Sequence, residues 1–226
     1  MLQAATGAAF RPALRSVYFC SCYIYSPRGT GYASEASRLL CVRLKSGDPF
    51  WLPAYAGRVR AQAMRDEALA GLFGREVMLV PVPGSAPSPA GVWAAERLAL
   101  ALHGVGLGKS VWAGVQRRFK VRKSATALNA DRPTVRQHHA SFAVTRLPTF
   151  AGPSAAPSRI LLVDDVITRG RTILAAAARL HEAFPNADIR AFALIRTMGF
   201  LPNVTHSLEP CYGVVRWAGG DARREP

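Results

Sequence analysis

The sequence predicts an α/β fold: a mostly parallel sheet flanked by helices, with a small N-terminal element beside it. Between Glu76 and Ile195, apolar strand-like runs alternate with helical segments rich in Ala and Leu, an order typical of a parallel sheet covered by helices. These runs are continuously apolar, as expected for strands buried on both faces. We therefore expect an α/β domain over residues 54–217, N-terminal strands over 1–53 and a frayed tail over 218–226.

The N-terminal element is predicted from two segments that follow a loose leader. Ser16–Tyr25 is aromatic and β-branched, which favours a strand. After a Pro/Gly turn over Ser26–Gly31, the segment Leu39–Lys45 is a second candidate strand or a short helix. The two segments are expected to form a hairpin or a small cap beside the main fold.

The main domain is predicted from apolar spacing and from the residues that end each segment. The apolar run Glu76–Val82 must end at its two prolines, because proline cannot donate to a strand ladder. Beyond Arg196 the composition becomes irregular. We expect helices over Ala54–Phe73, Gly91–His103, Thr134–Phe142 and Arg171–Phe184, and strands over Glu76–Val82, Ser110–Val115, Ile160–Val163 and Asp188–Ile195.

The chain is strongly basic. Its 226 residues include 29 Lys and Arg against 14 Asp and Glu, a formal net charge of +15. This balance fits either an ordinary basic surface or an anionic partner, either a substrate or a nucleic acid. The segment Gln116–Arg136 holds seven basic residues and one acidic residue and lacks apolar periodicity, so we expect a long, exposed functional loop there. His138 and His139, just beyond it, are interpreted as polar residues on a helix surface.

Cysteine usage and hydropathy argue against several classes of protein. Cys20 and Cys22 are spaced C-x-C and no second pair follows, so the four close ligands of a zinc site are not expected. Free thiols in a reducing cytosol fit better, and a cytoplasmic location is expected. The N-terminus lacks the basic and apolar regions of a secretory signal, and no apolar run is long enough to predict a membrane span.

The segment Ile160–Thr172 is the strongest candidate site. It reads I-L-L-V-D-D-V-I-T-R-G-R-T, a buried strand that ends in Asp164 and Asp165. At a strand end two acids can stay solvated and point to opposite sides. Such acids can accept hydrogen bonds from the vicinal hydroxyls of a ribose or hold Mg²⁺. The alternative interpretation is that they cap the next turn.

The second half of this segment, Thr168–Thr172, offers two hydroxyls, several backbone N–H groups and a glycine for close approach. It precedes a predicted helix, whose N-terminal dipole favours an anion. The spacing differs from that of a Walker A loop. A phosphate cradle and an ordinary Thr-capped helix remain equally good interpretations of the loop alone, and the preceding acids favour the cradle.

The ordered pattern of Ile160–Thr172 closely resembles the thirteen-residue signature of type I phosphoribosyltransferases, which bind phosphoribosyl pyrophosphate (PRPP). The wider layout is similar to the competence protein F (ComF)-like branch of that family. Leu44–Asp48 resembles its L-K-x-x-G-D element, Val80–Pro83 its V-P-V-P strand end, and, loosely, Gly91–Glu96 its G-F-N-Q-A-E helix start.

The resemblance implies a type I phosphoribosyltransferase fold with a small N-terminal hood, and a Mg²⁺-dependent transfer of the 5-phosphoribosyl group with loss of pyrophosphate. Asp164 and Asp165 would bind the ribose hydroxyls and Mg²⁺, and Pro83 and Gly84 would occupy the pyrophosphate-loop position. The basic segment would match a loop that closes over pyrophosphate, with Arg118 and Lys123 as candidate transition-state contacts. The remaining candidate substrate-binding residues are Val166, Thr168, Arg169, Gly170, Arg171 and Thr172.

The sequence also departs from the family pattern. Paired N-terminal cysteines are missing, Pro89-Ala90 stand where an Arg-Gly pair is usual, and Thr168 stands where purine-salvage members often carry an acid. Catalysis is therefore less secure than binding, and the acceptor is not identified. The alternatives are a nucleic-acid-binding or DNA-uptake accessory protein, and a sensor of PRPP or a nucleotide. The expected partners are PRPP or a ribose 5-phosphate nucleotide, single-stranded nucleic acid, and a second copy in a homodimer; no membrane is expected.

Overall fold

The computed structural model of the chain describes residues 10–47, 50–87, 92–122, 132–147, 156–199 and 204–226. Its strands are β1 (Ser16–Tyr25), β2 (Val77–Pro81), β3 (Ser110–Val111), β4 (Val115–Arg117), β5 (Phe142–Val144), β6 (Arg159–Ile167), β7 (Asp188–Thr197), β8 (Leu208–Ala218) and β9 (Asp221–Glu225). Its helices are α1 (Tyr32–Ser46), α2 (Trp51–Ala63), α3 (Glu67–Ala70), α4 (Ala94–Gly104), α5 (Val135–Ser141) and α6 (Arg171–Ala183).

Seven strands form one mixed sheet in the order β3-β2-β6-β7-β1-β8-β9. The five strands from β3 to β1 are parallel to their neighbours, and β8 and β9 are antiparallel additions at one edge. Strands β4 and β5 form a separate antiparallel pair. The predicted α/β fold with a mostly parallel sheet and flanking helices is therefore confirmed.

The core lies on both faces of the sheet, and β6 shows why its sequence is continuously apolar. Leu161 and Val163 face one core, which includes residues of α1, α2 and α4. Ile160 and Leu162 face the other, which includes residues of α6. Because alternate side chains of a strand point to opposite faces, a strand covered on both sides needs an apolar residue at every position. Four consecutive buried alanines, Ala175–Ala178, let α6 lie close to the sheet.

Most of the predicted elements are present, with boundaries shifted by a few residues, but the N-terminal hairpin is wrong. Leu39–Lys45 lies within helix α1, and Ser16–Tyr25 pairs with β7 and β8 inside the main sheet. The residue types of β1 predict a strand. They do not predict which strands it pairs with, because its partners β7 and β8 are far away in the sequence. Residues 1–53 therefore supply one of the inner strands of the seven-stranded sheet.

The C-terminal region also differs from expectation. The tail expected to fray contains β9, which pairs with β8 from Asp221 to Glu225. The irregular segment after Arg196 contains β8. Buried and exposed residues do not alternate clearly along this strand, because Val215 is its one buried residue. A strand with few buried positions leaves little period-two signal for a sequence to show.

Among the described residues, the structure has no helix of the length and apolar character needed to cross a bilayer.

Candidate functional site

The candidate site lies at the carboxyl edge of the parallel strands β2 and β6. The two strands are hydrogen-bonded neighbours, and the backbone N–H of Val82 donates to the carbonyl oxygen of Val163 at 2.8 Å. This bond places the turn that follows β2 beside the first residues after Val163. Ligands of open parallel sheets bind at this edge, where strand ends and helix N-termini converge.

The acid pair lies within β6, which continues through both acids to Ile167. Asp164 Oδ1 accepts from the N–H of Asp165 at 2.9 Å, and Asp165 Oδ1 accepts from the N–H of Val166 at 2.9 Å. Both residues are half-buried, so the two acids keep part of the solvent exposure expected for them.

The electrostatics of this pair follow from that arrangement. Burial raises the pKa of Asp164 well above its ordinary value, and the negative charge of Asp165 raises it further. Two carboxyl groups this close resist ionising together in a poorly solvated place. A cation, or hydroxyl groups that donate hydrogen bonds, can offset the negative charge of such a pair.

Lys45 is a third charged residue of this edge, and no role was predicted for it. Its positive charge opposes the rise in the pKa of Asp164, so it lies within electrostatic reach of the acids. It is in the last turn of α1, one turn after the buried Cys41. Gly47, with a φ of +76°, ends the helix, and Arg97 Nη2 donates to the Lys45 carbonyl at 3.2 Å. The L-K-x-x-G-D resemblance was the only signal for it.

The loop between β6 and α6 has the form of an anion cradle. Thr168 and Arg169 are exposed, and Gly170 is the residue that precedes α6, with a φ of +79°. No side chain caps this helix, so the Thr-capped alternative is wrong. A 13-residue helix that begins without a side-chain cap presents its first backbone N–H groups and the positive end of its dipole.

Two predicted ligands in this loop are only partly available. The Arg171 guanidinium is turned away toward the C-terminal hairpin, where its Nε donates to Asp221 Oδ2 at 2.9 Å. Its Nη1 donates to the carbonyl oxygen of Arg132 at 3.2 Å. Arg171 can therefore contribute its backbone N–H, while Arg169 is the exposed arginine of the loop. Thr172 is half-buried in the first turn of α6.

The turn after β2 is held from three sides. Trp93 Nε1 donates to the Val82 carbonyl at 2.7 Å, and the N–H of Val121 donates to the Ser85 carbonyl at 2.8 Å. Arg117 Nε donates to the Gly84 carbonyl at 2.6 Å. Pro83 is buried, whereas Gly84 is exposed and its α-carbon faces open space. The predicted pyrophosphate-side turn therefore exists as a fixed, accessible backbone.

Arg117 corrects the prediction of a fully exposed basic loop, since it is only 6% exposed. Its guanidinium lies 4.2 Å from the centre of the Phe142 ring and donates to Ser141 Oγ and toward His138 Nδ1. Among the described residues no carboxylate forms an ion pair with it. Burial lowers the pKa of Arg117 to about 10. A strand pairing, β4 with β5, draws this residue inward, and a local charge count could not show that.

His138 is likewise buried and not on the helix surface as predicted. The pKa of His138 is lowered to about 3, mainly by burial and also by the charges of Arg117 and Arg171. The ring is therefore neutral near pH 7 and can accept from Arg117 through Nδ1. His139, in contrast, is half-buried and pairs with Glu182 at 2.8 Å.

Beyond Arg117, the basic side chains of Lys120, Arg122 and Arg136 are exposed. Arg118 is exposed, and its backbone N–H donates to the Ser141 carbonyl at 2.7 Å. Lys123, the other candidate transition-state contact, lies outside the described residues. A cavity of about 540 Å³ opens between this segment and α5. Its lining combines aromatic, aliphatic and cationic side chains: Phe119, Lys120, Val121, Arg122, Pro133, Gln137 and Ala140.

The donor set of the acid pair fits a hard cation. Within the described ranges, no group of three or more His, Cys, Asp or Glu residues could hold a metal ion. Two adjacent carboxylates suit Mg²⁺, which keeps several waters and commonly shares its ligands with a substrate phosphate. Asp164 and Asp165 are the residues that would hold it.

Taken together, the fold and this edge define an α/β protein with a carboxylate pair, a helix N-terminus without a side-chain cap and a fixed turn at one edge of the sheet. No protein-family model matches the chain, and no curated protein matches it either.

Proposed function

We propose that the protein binds Mg²⁺-PRPP and transfers the 5-phosphoribosyl group to an acceptor on a type I phosphoribosyltransferase fold. One observation carries the proposal: the acid pair of β6 leads within five residues to Gly170 at the N-terminus of α6, and the turn after β2 lies beside the acids. A ribose that carries a phosphate at one end and a diphosphate at the other needs these three features in this order.

Each part of PRPP has a matching part of the site. The carboxylates of Asp164 and Asp165 accept hydrogen bonds from the vicinal ribose hydroxyls. The exposed loop Thr168–Gly170 and the first N–H groups of α6 receive the 5-phosphate. The backbone around Gly84 faces the pyrophosphate. Lys45 adds a cation at the same edge, where it can offset the charge of a polyanionic ligand.

The reaction is a displacement at the ribose C1′. The bond from C1′ to the pyrophosphate oxygen breaks and pyrophosphate leaves with the electron pair, while a nucleophilic atom of the acceptor bonds to C1′ and loses its proton. Asp164 and Asp165 would hold Mg²⁺, which would supply positive charge to offset that of the leaving pyrophosphate. The protein's task is to fix both phosphate ends and to keep water away from an electron-poor ribose carbon.

Calorimetric titration with PRPP in the presence of Mg²⁺ tests binding. The wild-type chain should bind, and the double variant Asp164→Asn, Asp165→Asn should not. Asp188→Asn is a matched control, because Asp188 begins β7 at the opposite end of the sheet and pairs with Arg190 at 3.0 Å. Unchanged binding by the double variant, or no binding by the wild type, would refute the proposal.

Pyrophosphate release tests turnover. A screen of nucleobases and amines with Mg²⁺-PRPP should identify an acceptor that accelerates release. Binding of PRPP without release for any acceptor would instead favour a sensor of PRPP on the same fold.

A second candidate function is favoured by the exposed basic segment. Arg118, Phe119, Lys120 and Arg122 are all exposed, and the Phe119 side chain is 51% exposed beside the cavity. Cations that follow a backbone, combined with an aromatic ring for stacking, are the elements of single-stranded nucleic-acid binding. With a net charge of +15, affinity for a single-stranded DNA oligonucleotide should fall steeply with salt.

Fluorescence anisotropy with a labelled oligonucleotide tests this function separately. Replacing Phe119 and Lys120 with Ala should weaken binding, while Asp164→Asn should leave it unchanged. No binding at low salt excludes a nucleic-acid partner of this kind.

A further inference from the structure

Strand β9 contacts both ends of the loop Thr168–Gly170. At the end of the loop, Asp221 Oδ2 accepts from Arg171 Nε at 2.9 Å, and the same carboxylate oxygen pairs with Arg171 Nη2. At its start, Arg224 Nη1 donates to the carbonyl oxygen of Ile167 at 3.2 Å. Asp221 and Arg224 thus hold the residues immediately before and immediately after the loop.

Arg224 also joins the ends of two parallel strands. While Nη1 reaches Ile167 at the end of β6, Nη2 donates to the carbonyl oxygen of Thr197, the last residue of β7, at 2.8 Å. The planar fork of a guanidinium can bridge two carbonyl oxygens at fixed spacing, which a lysine ammonium cannot reproduce. Within the described part of the chain, no carboxylate forms an ion pair with Arg224. Its donors are directed to the strand ends instead.

The hairpin formed by β8 and β9 also packs against the backbone of the loop. A Cβ atom at Gly170 would lie 2.5 Å from Val215 Cγ2, so the backbone of the loop rests directly on β8. Val215 is fully buried, and its partner across the ladder is Arg224 itself. The loop is therefore fixed at its start, at its end and from below by residues of β8 and β9.

We propose that β9 shapes the phosphate cradle: Arg224 and Asp221 are positioning residues that hold Thr168–Gly170 in the form that receives a phosphate. This inference rests on the proposed function, since that function assigns the 5-phosphate to this loop. Neither residue contacts the phosphate. Arg224 acts on the backbone carbonyl of Ile167 and Asp221 on the side chain of Arg171. Both residues matter because an anion site made of N–H groups binds well only when those groups are pre-aligned.

The test compares Arg224→Ala and Arg224→Lys with Arg223→Ala. Arg223 is the neighbouring arginine on β9, its side chain is 74% exposed, and its removal changes the net charge by the same amount. Binding of ribose 5-phosphate is measured by calorimetry. Hydrogen exchange of the loop amides is measured on the unliganded protein, together with the thermal midpoint.

The expected result is a loss of about tenfold or more in affinity for ribose 5-phosphate in Arg224→Ala. Arg224→Lys should lose nearly as much, because one ammonium cannot bridge both carbonyls, and Arg223→Ala should bind like the wild type. Exchange should accelerate at residues 167–172 in both Arg224 variants while β6 upstream of Asp164 stays protected. Asp221→Asn should accelerate exchange mainly at residues 170–172.

The outcomes separate the two proposals. If the wild type binds ribose 5-phosphate and Arg224→Ala binds equally well with unchanged exchange, the positioning role is refuted and the proposed function stands. If the wild type fails to bind, the proposed function fails, and exchange alone decides whether β9 holds the loop. Uniform acceleration of exchange across the whole sheet in Arg224→Ala would show a general stability effect and would also refute the positioning role.

Discussion

At the scale of single residues, Asp164 is placed where function conflicts with stability. Its carboxyl group is poorly solvated and lies against that of Asp165, and burial is the main reason that its pKa is raised. Because the unfolded chain ionises this group freely, the folded state loses stability as pH rises from the ordinary aspartate pKa toward the raised one. Near neutral pH, Asp164 therefore lowers the free energy of unfolding of the unliganded protein.

Asp164→Asn should stabilise the unliganded protein while removing ligand binding. The amide needs no proton to remain neutral, so we expect the free energy of unfolding to rise by about 1 kcal/mol near pH 7, or about 2–4 °C in the thermal midpoint. Differential scanning calorimetry with and without Mg²⁺-PRPP measures both effects. A lower midpoint for the variant would show that Asp164 serves the fold itself.

His138 gives the fold a second pH dependence. Its charged form is the protonated imidazolium, whereas the charged form of Asp164 is the deprotonated carboxylate. It is 3% exposed and faces Arg117 of β4, Arg171 of α6 and Asp221 of β9. In the folded protein the pKa of His138 is lowered to about 3. As pH falls below about 6.5, the imidazole therefore binds a proton in the unfolded chain while it stays neutral in the native state. The stability supplied by neutral burial is therefore complete above pH 6.5 and decreases progressively as pH falls toward 3.

His138→Gln should flatten the acid side of the stability profile. Between pH 6.5 and 5 the wild type should lose roughly 2 kcal/mol through this one histidine, and the variant should lack that component. Urea unfolding at a series of pH values gives the slopes. His103→Gln is the matched control, since His103 is exposed, and it should follow the wild type. Equal slopes for His138→Gln and wild type would contradict this prediction.

At the scale of elements, the passage from β6 to α6 depends on one glycine. Gly170 combines a φ of +79° with the close approach of Val215, so both the backbone conformation and the available space exclude a side chain. The left-handed conformation costs an ordinary residue about 1–2 kcal/mol. Contact with a buried valine adds to that cost, because the well-packed core cannot move freely away.

Gly170→Ala should destabilise the protein by more than about 1 kcal/mol and weaken ribose 5-phosphate binding. Gly57→Ala is a control of opposite sign: Gly57 lies inside α2 with no atom within 4 Å of an added Cβ, so alanine should stabilise by about 0.5–1 kcal/mol. Chemical denaturation of both variants gives the two free energies. Two changes of the same sign would show that the conformation assigned to Gly170 is wrong.

How far the sequence predicts an element depends on where its constraints come from. Strand β6 and helix α6 were predictable because burial on both faces and helical spacing are written into consecutive residues. The acids and the loop were found for the same reason. Strand β8 was not, because it has a single buried side chain. Arg117 and Arg224 were missed because their partners, Gly84 and Ile167, are 33 and 57 residues away.

At the scale of the whole molecule, the sheet combines strands from the N-terminal and the C-terminal parts of the sequence. Strand β1 lies between β7 and β8, parallel to the first and antiparallel to the second. Its buried side chains contribute to the cores on both faces: Cys20, Cys22 and Tyr23 to one, and Val17 and Phe19 to the other. In the backbone ladder of the sheet, the hairpin β8–β9 follows β1, and Arg224 adds side-chain hydrogen bonds from this hairpin to the ends of β6 and β7.

A chain that lacks residues 1–53 should therefore fail to form the native sheet. Burial of each large apolar side chain contributes about 1.5–3 kcal/mol, so losing β1 removes more than the 5–15 kcal/mol that stabilises a typical domain once its backbone ladders are included. Residues 54–226 alone should show weak, non-cooperative thermal unfolding by circular dichroism. Supplying residues 1–53 as a separate fragment should restore a cooperative transition and, because β8 and β9 then regain their support, ribose 5-phosphate binding as well. A fragment 54–226 that unfolds cooperatively and binds ribose 5-phosphate by itself would mean that β8 can pair directly with β7, and that the cradle depends on β9 without depending on β1.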